Sequence, residues 1–305
     1  MKAKRLDYDS VINRLSDGIA KYVSDNKLES LVIGLSGGLD STVCAALCKI
    51  AKTKLQNSGS DVKIIGASLP TSTNQASEED TARDCSKFCD VFIDASLQQA
   101  FDSVASLCEK HQMTPSTPIS LGNIKARLRM IFLYNLASLY RGIVIDTDNL
   151  TECFLGFWTI HGDEGDFNPI GCLWKTEVYE LAKALKSFFA VSGYQYRDSY
   201  VKSLQKSIDA TPTDGNGVMD GGDLAQIAPG HTYDDVDDIL TNVLLDSSGE
   251  SIKALEDKYD AETVSRVVKR YKASAFKRKH RPFIIDLEGK VTTKDRNIVP
   301  WLARC

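Results

Sequence analysis

The chain has 305 residues, of which 43% are hydrophobic and 26% charged, with a formal net charge of -4 and a sequence pI ≈ 5.7. This length predicts one large α/β domain or two modest domains with a substantial core, and the mild acidity argues against general nucleic-acid or membrane-surface binding. The N-terminus lacks an apolar leader and no later run is long enough to cross a bilayer, so we expect a cytoplasmic protein acting on small molecules.

The eight cysteines are scattered along the chain without a Cys-x-x-Cys pair, and none of the four histidines repeats zinc-site spacing. In a reducing compartment such cysteines usually behave as small buried hydrophobic residues. We therefore predict packing roles for the thiols and no thiol-bound metal.

The first elements predict a strand that leads into a phosphate-binding loop. Residues 7–25 carry apolar side chains at helical spacing, residues 31–35 form an apolar strand, and a second helix runs to about residue 52. Between this strand and the second helix lies the sequence Ser-Gly-Gly-Leu-Asp-Ser. Gly37 and Gly38 allow a tight turn there, which directs backbone N–H groups and a helix N-terminus toward an anion. A turn that binds no ligand is the alternative interpretation.

Asp40 distinguishes this loop from the common nucleotide-binding loop, which uses a Lys to hold the β and γ phosphates. A carboxylate beside a phosphate is repelled unless a cation lies between the two groups. The sequence therefore predicts Mg²⁺ between Asp40 and a polyphosphate.

The next stretch predicts repeated βαβ units. An apolar strand at 62–69, a loop at 70–77, a helix at 78–89 and a short strand at 91–93 follow one another. This alternation indicates a parallel sheet, whose ligands bind at the carboxyl ends of the strands.

The middle of the chain predicts a second cluster of polar groups at a strand end. A long helix from residue 122 carries cations early, a strand at 142–145 follows, and then come the acidic and hydroxyl residues 146–152. Such groups suit Mg²⁺ or nucleotide contacts. The alternative is a turn in which Asp148 or Thr151 caps the next helix.

The C-terminal half alternates helices with two stretches expected to be irregular, at 161–171 and 211–231. Helices are predicted at 174–186, 233–240 and 261–275. The basic run at 277–281 is either a solvated helix end or a grip on phosphate or carboxylate.

Several motifs, taken in order, make the chain resemble the ammonia-dependent NAD synthetases, which belong to the N-type ATP pyrophosphatases. The resemblance covers roughly residues 7–285 and rests on the loop at 36–41, the segment 122–127, Thr147-Asp148 with Glu152, Phe157, Asn168-Pro169, Pro212-Thr213, the segment 232–238 and Lys277-Arg278. It implies an α/β fold: a doubly wound parallel sheet flanked by helices, as in the adenine nucleotide alpha hydrolases, with a helical C-terminal elaboration. We accordingly predict one domain at 1–285 and a tail at 286–305.

The resemblance implies a ligase that amidates a carboxylate in two steps. The nicotinate carboxylate of deamido-NAD attacks the α-phosphorus of ATP and releases pyrophosphate, and ammonia then displaces AMP to give NAD. The ammonia would be free or delivered by a separate protein, because no glutaminase domain flanks 7–285. The family is dimeric, so a homodimer is implied as well.

The resemblance also assigns residues to the ligands. The implied ATP contacts are Gly34, Leu35, Ser36, Gly37, Gly38, Leu39, Asp40, Ser41, Thr147, Lys175 and Thr213. Asp40 and Glu152 would hold Mg²⁺, and Asp40 with Lys175 would carry the catalysis. The implied deamido-NAD contacts are Arg127, His161, Asp166, Phe276 and Lys277.

Three departures from the family pattern fall on the dinucleotide side. Ile160 stands where relatives often have Lys, so that contact is lost or passes to His161. The loop at 162–169 is one residue shorter, which leaves the assignment of Asp166 open by one position, and Phe276 replaces a frequent His.

Other functions remain open at this stage. Without the resemblance, Lys175 would be interpreted as a surface cation and Asp166 as a turn former. Rival enzymes are a synthetase for a different carboxylate and a tRNA-modifying enzyme, although the scattered thiols and mild acidity disfavour the latter. A catalytically silent nucleotide sensor is a third alternative, which the presence of Asp40, Glu152 and Lys175 disfavours.

Overall fold

A computed structural model describes residues 6–71, 76–111, 113–210, 222–246 and 248–278, together with two short strands at 284–285 and 291–292. Its centre is a parallel sheet with the strand order β3-β2-β1-β4. The strands are β1 (Ser30–Gly34), β2 (Lys63–Ser68), β3 (Val91–Asp94) and β4 (Gly142–Ile145). The predicted parallel sheet is confirmed, and β1 lies between β2 and β4.

Helices cover both faces of this sheet, which gives the doubly wound arrangement. On one face lie α1 (Tyr8–Asn26), α2 (Leu39–Asn57), α3 (Ala76–Cys85), α7 (Lys175–Val191) and α8 (Arg197–Asp209). The short 3₁₀ turn Ser86–Phe88 packs on the same face. On the other face lies α5 (Pro118–Leu139), which packs on Val32, Ile65 and Val144, with α4 (Gln98–His111) beside it. The central strand β1 and most of β2 are buried, which explains their apolar sequences, whereas β3 at the edge of the sheet is only partly buried.

A separate hydrophobic cluster forms the helical C-terminal region. It contains α6 (Leu150–Leu155), α9 (Gly222–Ile227), α10 (Tyr233–Leu245), α11 (Gly249–Lys258) and α12 (Ala261–Ala273), joined by Trp174 at the start of α7. A 3₁₀ turn, Ala275–Arg278, follows α12. Beyond it, β5 (Ile284–Ile285) pairs antiparallel with β6 (Val291–Thr292).

Several boundaries differ from the sequence predictions. The helix expected from residue 122 begins at Pro118, because Thr117 caps it through a reciprocal hydrogen-bond pair with Ser120 and proline suits the first helical position. The stretch 211–231 was expected to be irregular, yet residues 222–227 are helical; 211–221 lie outside the described residues. Most of the tail at 286–305 also lies outside them, so the domain boundary stays a prediction.

Along the described parts of the chain, every helix is too short or too polar to span a membrane.

Candidate active site

The loop after β1 is shaped by two glycines and closed by its own hydroxyl groups. Gly37 has φ 81°, a left-handed conformation that side chains rarely adopt, and Gly38 is the N-cap of α2. The Gly38 N–H donates to Ser36 Oγ at 3.2 Å, and Thr42 Oγ1 donates back to the Gly38 carbonyl at 2.8 Å. The first turn of α2 is thereby held facing the carboxyl ends of the strands, where its N–H groups and dipole favour an anion.

A cavity of about 1260 Å³ opens above this loop. Every residue from Gly34 to Ser41 lines it, as do Thr147, Glu152 and Lys175. Because β1 lies beside β4, with Ile33 paired to Ile145, the residues that follow both strands meet at this edge of the sheet. The cavity therefore joins the two polar clusters that the sequence singled out, and its size suits a nucleotide.

Two carboxylates and one ammonium group form the charged centre of the cavity. Lys175 Nζ donates to Asp40 Oδ2 and lies 3.9 Å from Glu152 Oε1, and the Lys175 side chain is only 7% exposed. Burial alone would lower the pKa of Lys175, but the negative charges of Asp40 and Glu152 outweigh it and raise that pKa. Lys175 is therefore a fixed cation, and it is not the surface residue that sequence position alone would indicate.

Asn149 connects the two carboxylates. Its Nδ2 donates to Asp40 Oδ1 at 3.0 Å, while its Oδ1 accepts the Glu152 N–H at 3.1 Å and caps α6. The Glu152 carboxylate in turn accepts the Asn149 N–H at 2.9 Å. The capped turn expected after β4 is therefore present, but Asn149 is the capping residue, and neither Asp148 nor Thr151 has that role.

A buried network fixes the start of α7, where Lys175 lies. The Lys175 N–H donates to Thr151 Oγ1 at 2.9 Å, Thr151 Oγ1 donates to Asp237 Oδ1 at 2.5 Å, and Asp237 Oδ2 accepts the Thr176 N–H at 3.0 Å. The Tyr233 ring lies 5.7 Å from Lys175 Nζ. Helix α10 thus supports the backbone and the ammonium group of Lys175.

The donor set fits Mg²⁺ shared with a polyphosphate. Carboxylate oxygens of Asp40 and Glu152 are hard ligands, and Mg²⁺ typically binds one or two carboxylates together with substrate phosphates and waters. Within the described segments, no three His, Cys, Asp or Glu side chains converge to enclose a metal alone. The residues therefore suit a metal that enters with the nucleotide.

Further carboxylates line the cavity beside Thr147. Asp148 and Asp163 both contribute to its wall, and the Thr159 N–H donates to Asp163 Oδ1 at 2.6 Å. Burial and the nearby charge of Asp146 raise the pKa of Asp163 to about 6, and burial with the same neighbour raises the pKa of Asp148. Burial likewise raises the pKa of Asp237 to about 6.

We expect the unliganded protein to be more stable at pH 5 than at pH 7.5. A carboxyl group with a pKa of about 6 when folded and about 3.9 when unfolded favours the folded state by roughly 1–3 kcal/mol while protonated, and this is lost as the pH rises through 6. Urea unfolding at the two pH values measures the difference, and Asp163→Asn should reduce it, since Asp163 is one of the three carboxyl groups named above whose pKa is raised. An equal change in the free energy of unfolding between pH 5 and pH 7.5 in the variant and the parent chain would contradict this assignment.

The residues assigned to deamido-NAD do not line the cavity. Arg127 donates to the Ile160 carbonyl at 3.1 Å, and Lys277 Nζ donates to the Gly156 carbonyl at 2.7 Å. Asp166 accepts Tyr134 Oη–H at 3.0 Å and the Val144 N–H at 3.0 Å. The other two assigned residues, His161 and Phe276, are exposed.

Thr213, the remaining predicted ATP contact, lies outside the described residues.

Sequence reasoning missed four residues of the cavity region. Asn149, Asp163 and Tyr233 have no role in the sequence prediction, and Arg129 is one of the early cations of the helix predicted from residue 122, without a role of its own. Arg129 Nε donates to the Leu69 carbonyl at 3.2 Å and lies at the cavity wall. Its position two residues after Arg127 on a helix that passes the end of β2 is the signal that could have identified it.

Comparison with known proteins adds an independent line of information. A sequence model of the NAD synthase family matches residues 11–281. The NH(3)-dependent NAD(+) synthetase of Lactiplantibacillus plantarum is 32% identical over 259 residues, which cover 83% of this chain and 87% of that protein.

Two solved structures share the fold over nearly their whole length. The NH3-dependent NAD synthetase of Campylobacter jejuni has a TM-score of 0.65 and 27% identity, covering 92% of this chain and 100% of that chain. The NMN synthetase of Francisella tularensis has a TM-score of 0.69 and 25% identity, covering 92% and 99%.

Proposed function

This chain belongs to the NAD synthase family, and we propose that it forms NAD by amidating deamido-NAD with ammonia at the expense of ATP. The observation that carries the proposal is the convergence of Asp40, Glu152 and Lys175 on the glycine loop, within a cavity of nucleotide size. The reaction is that of a ligase that forms a carbon–nitrogen bond.

In the first step, the nicotinate carboxylate attacks the α-phosphorus of ATP and pyrophosphate leaves. The N–H groups of the first turn of α2 bind phosphate oxygens, and Lys175 supplies the positive charge that the loop lacks. Asp40 and Glu152 would hold Mg²⁺, which would supply positive charge to offset the negative charge of the departing pyrophosphate.

In the second step, ammonia attacks the acyl carbon and AMP leaves. A free carboxylate is a poor acceptor for ammonia, and the adenylate makes its oxygen a good leaving group. The protein contributes orientation and electrostatics, without a covalent bond to the enzyme.

The positions of the residues assigned to deamido-NAD support a substrate site that a second subunit completes. Arg127 and the Tyr134–Asp166 pair lie on or beside α5, whose outer face is apolar and exposed: Ile131 is 67% exposed and Leu139 is 68% exposed. An exposed apolar helix face of this kind suits a symmetric dimer. We propose a homodimer that pairs through α5 and brings deamido-NAD to the substrate side of the cavity.

We expect Ile131→Glu to produce a monomer, because it places a charge in the apolar face. Sedimentation or light scattering measures the mass, and kcat/KM for deamido-NAD should fall at least about tenfold while binding of an ATP analogue persists. Leu107→Glu is the matched control, since Leu107 is 61% exposed on α4. A monomeric parent chain, or an Ile131→Glu dimer, would refute the interface.

A nicotinate mononucleotide is the second candidate substrate. The structural similarity to an NMN synthetase favours it, as do the departures at Ile160 and Phe276, which both fall on the dinucleotide side. The chemistry at the carboxylate would be the same, and only the contacts to the remainder of the substrate would differ.

The deciding experiment supplies the purified protein with ATP, Mg²⁺, ammonium and either deamido-NAD or nicotinate mononucleotide. Equal amounts of NAD and AMP from deamido-NAD, at a higher kcat/KM than for the mononucleotide, support the proposal. Preference for the mononucleotide favours the second candidate, AMP formation only with another acid indicates a sister synthetase, and ATP binding without turnover indicates a sensor.

A further inference from the structure

Asn149 is buried at the point where the two predicted metal ligands meet, and its side chain contacts both of their segments. It is 0% exposed, and it precedes Glu152 by one helical turn while Asp40 comes from α2, 109 residues earlier in the chain. The side-chain amide is therefore shared: the nitrogen serves Asp40 and the oxygen serves the backbone of Glu152.

The hydrogen bonds leave little freedom in either carboxylate. Asp40 Oδ1 is held by Asn149 Nδ2 at 3.0 Å, while its Oδ2 is held by Lys175. Glu152 Oε2 is held by the Asn149 N–H at 2.9 Å, and its Oε1 lies 3.9 Å from Lys175 Nζ. Each carboxylate thus has one oxygen oriented by Asn149 and the other directed toward Lys175.

We propose that Asn149 is a positioning residue that fixes the two carboxylates relative to each other, so that together they bind Mg²⁺ with the nucleotide. The inference rests on the proposed function for the identity of the metal site. Groups that orient metal ligands typically change metal affinity by about 10–100-fold when they are removed. Asn149 carries out this role by joining a helix of the sheet region to a helix of the C-terminal region.

Two substitutions separate this role from helix capping. Asn149→Ser keeps a side-chain oxygen that can cap α6, but it is too short to donate to Asp40. Asn149→Asp keeps the shape and the cap, but replaces the N–H donor with a carboxylate that repels Asp40. Ser248→Ala is the control, because it removes the side-chain cap of a different helix, α11. There Ser248 Oγ accepts the Ser251 N–H at 3.2 Å, and Ser248 does not line the cavity.

The measurement is the Mg²⁺ concentration that half-saturates binding of α,β-methylene-ATP, followed by calorimetry and by the shift in the thermal unfolding midpoint. We expect Asn149→Ser to raise this concentration by about 10–100-fold and Asn149→Asp to raise it less, because the added carboxylate itself attracts Mg²⁺. Excess Mg²⁺ should restore analogue binding to Asn149→Ser. Without ligand, Asn149→Ser and Ser248→Ala should each lower the unfolding midpoint by only a few degrees.

Three results would overturn the proposal: an unchanged Mg²⁺ requirement in Asn149→Ser, a weakening that Ser248→Ala reproduces, or analogue binding by the parent chain that does not depend on Mg²⁺. Failure of the proposed function looks different. In that case the parent chain binds Mg²⁺ and the analogue, and the Asn149 variants raise the Mg²⁺ requirement, yet no NAD forms from deamido-NAD.

Discussion

Asp40→Asn should reduce formation of AMP and NAD by at least about a thousandfold while the protein remains folded. The substitution keeps the side-chain shape, and the amide oxygen can still accept the hydrogen bond from Asn149 Nδ2. It removes the negative charge that the proposed metal requires, and among the described residues it leaves Glu152 as the charged partner of Lys175. Pyrophosphate release measured with saturating substrates tests the effect directly.

The control for this variant is Asp25→Asn on α1, where an exposed aspartate pairs with Lys21 and the pairing contributes little to stability. Circular dichroism and a urea titration should show a folded Asp40→Asn protein, destabilised by about 1–3 kcal/mol because a partly buried ion pair is broken. Turnover within tenfold of the parent chain would exclude a metal-binding role for Asp40.

Lys175→Met should be the second most damaging change, lowering kcat/KM for ATP by roughly 10²–10³-fold. Methionine fills much of the same space, so the variant tests the charge more than the volume. Without the ammonium group, two carboxylates face each other at the centre of the cavity and repel both one another and the incoming phosphates. Initial rates over a range of ATP concentrations measure the loss.

The Lys175→Met variant should also be less stable than the parent chain, because it leaves the largely buried carboxylates of Asp40 and Glu152 without their cation. Urea unfolding at neutral pH measures this loss of stability. Lys183→Met on the same helix is the matched control, since Lys183 is half-exposed and pairs with Glu180. A Lys175→Met protein with the parent rate would show that the loop holds phosphate without this cation.

The sequence was most informative where apolar residues follow one another without interruption. Strand β4 has the bounds that its apolar run predicts, and the helix predicted after the glycine loop is present, although it ends at Asn57 and not near residue 52. Helix α8 could not be predicted in the same way, because two of its four buried residues are Ser203 and Ser207, whose hydroxyls donate to backbone carbonyls. Their burial depends on hydrogen bonds and not on apolar periodicity.

Some parts of the candidate site could likewise be predicted from the sequence and others could not. The glycine loop and the acidic segment after β4 can be recognised from local sequence, and the family motifs connect them to Lys175. The contact between Asn149 and Asp40 spans 109 positions, and no local pattern predicts it. The dinucleotide residues were assigned by motif, and their roles stay predictions because in a single subunit they bind backbone groups or face outward.

The two carboxylates of the site lie on helices that pack into separate hydrophobic clusters. Asp40 lies on α2, which packs with the sheet, whereas Glu152 lies on α6, which packs with the C-terminal helices. Small shifts between these clusters would therefore change the distance between the carboxylates without disrupting either core. We therefore expect substitutions deep in the C-terminal helices, far from any nucleotide, to alter the proposed metal requirement, and directed evolution could adjust it from there.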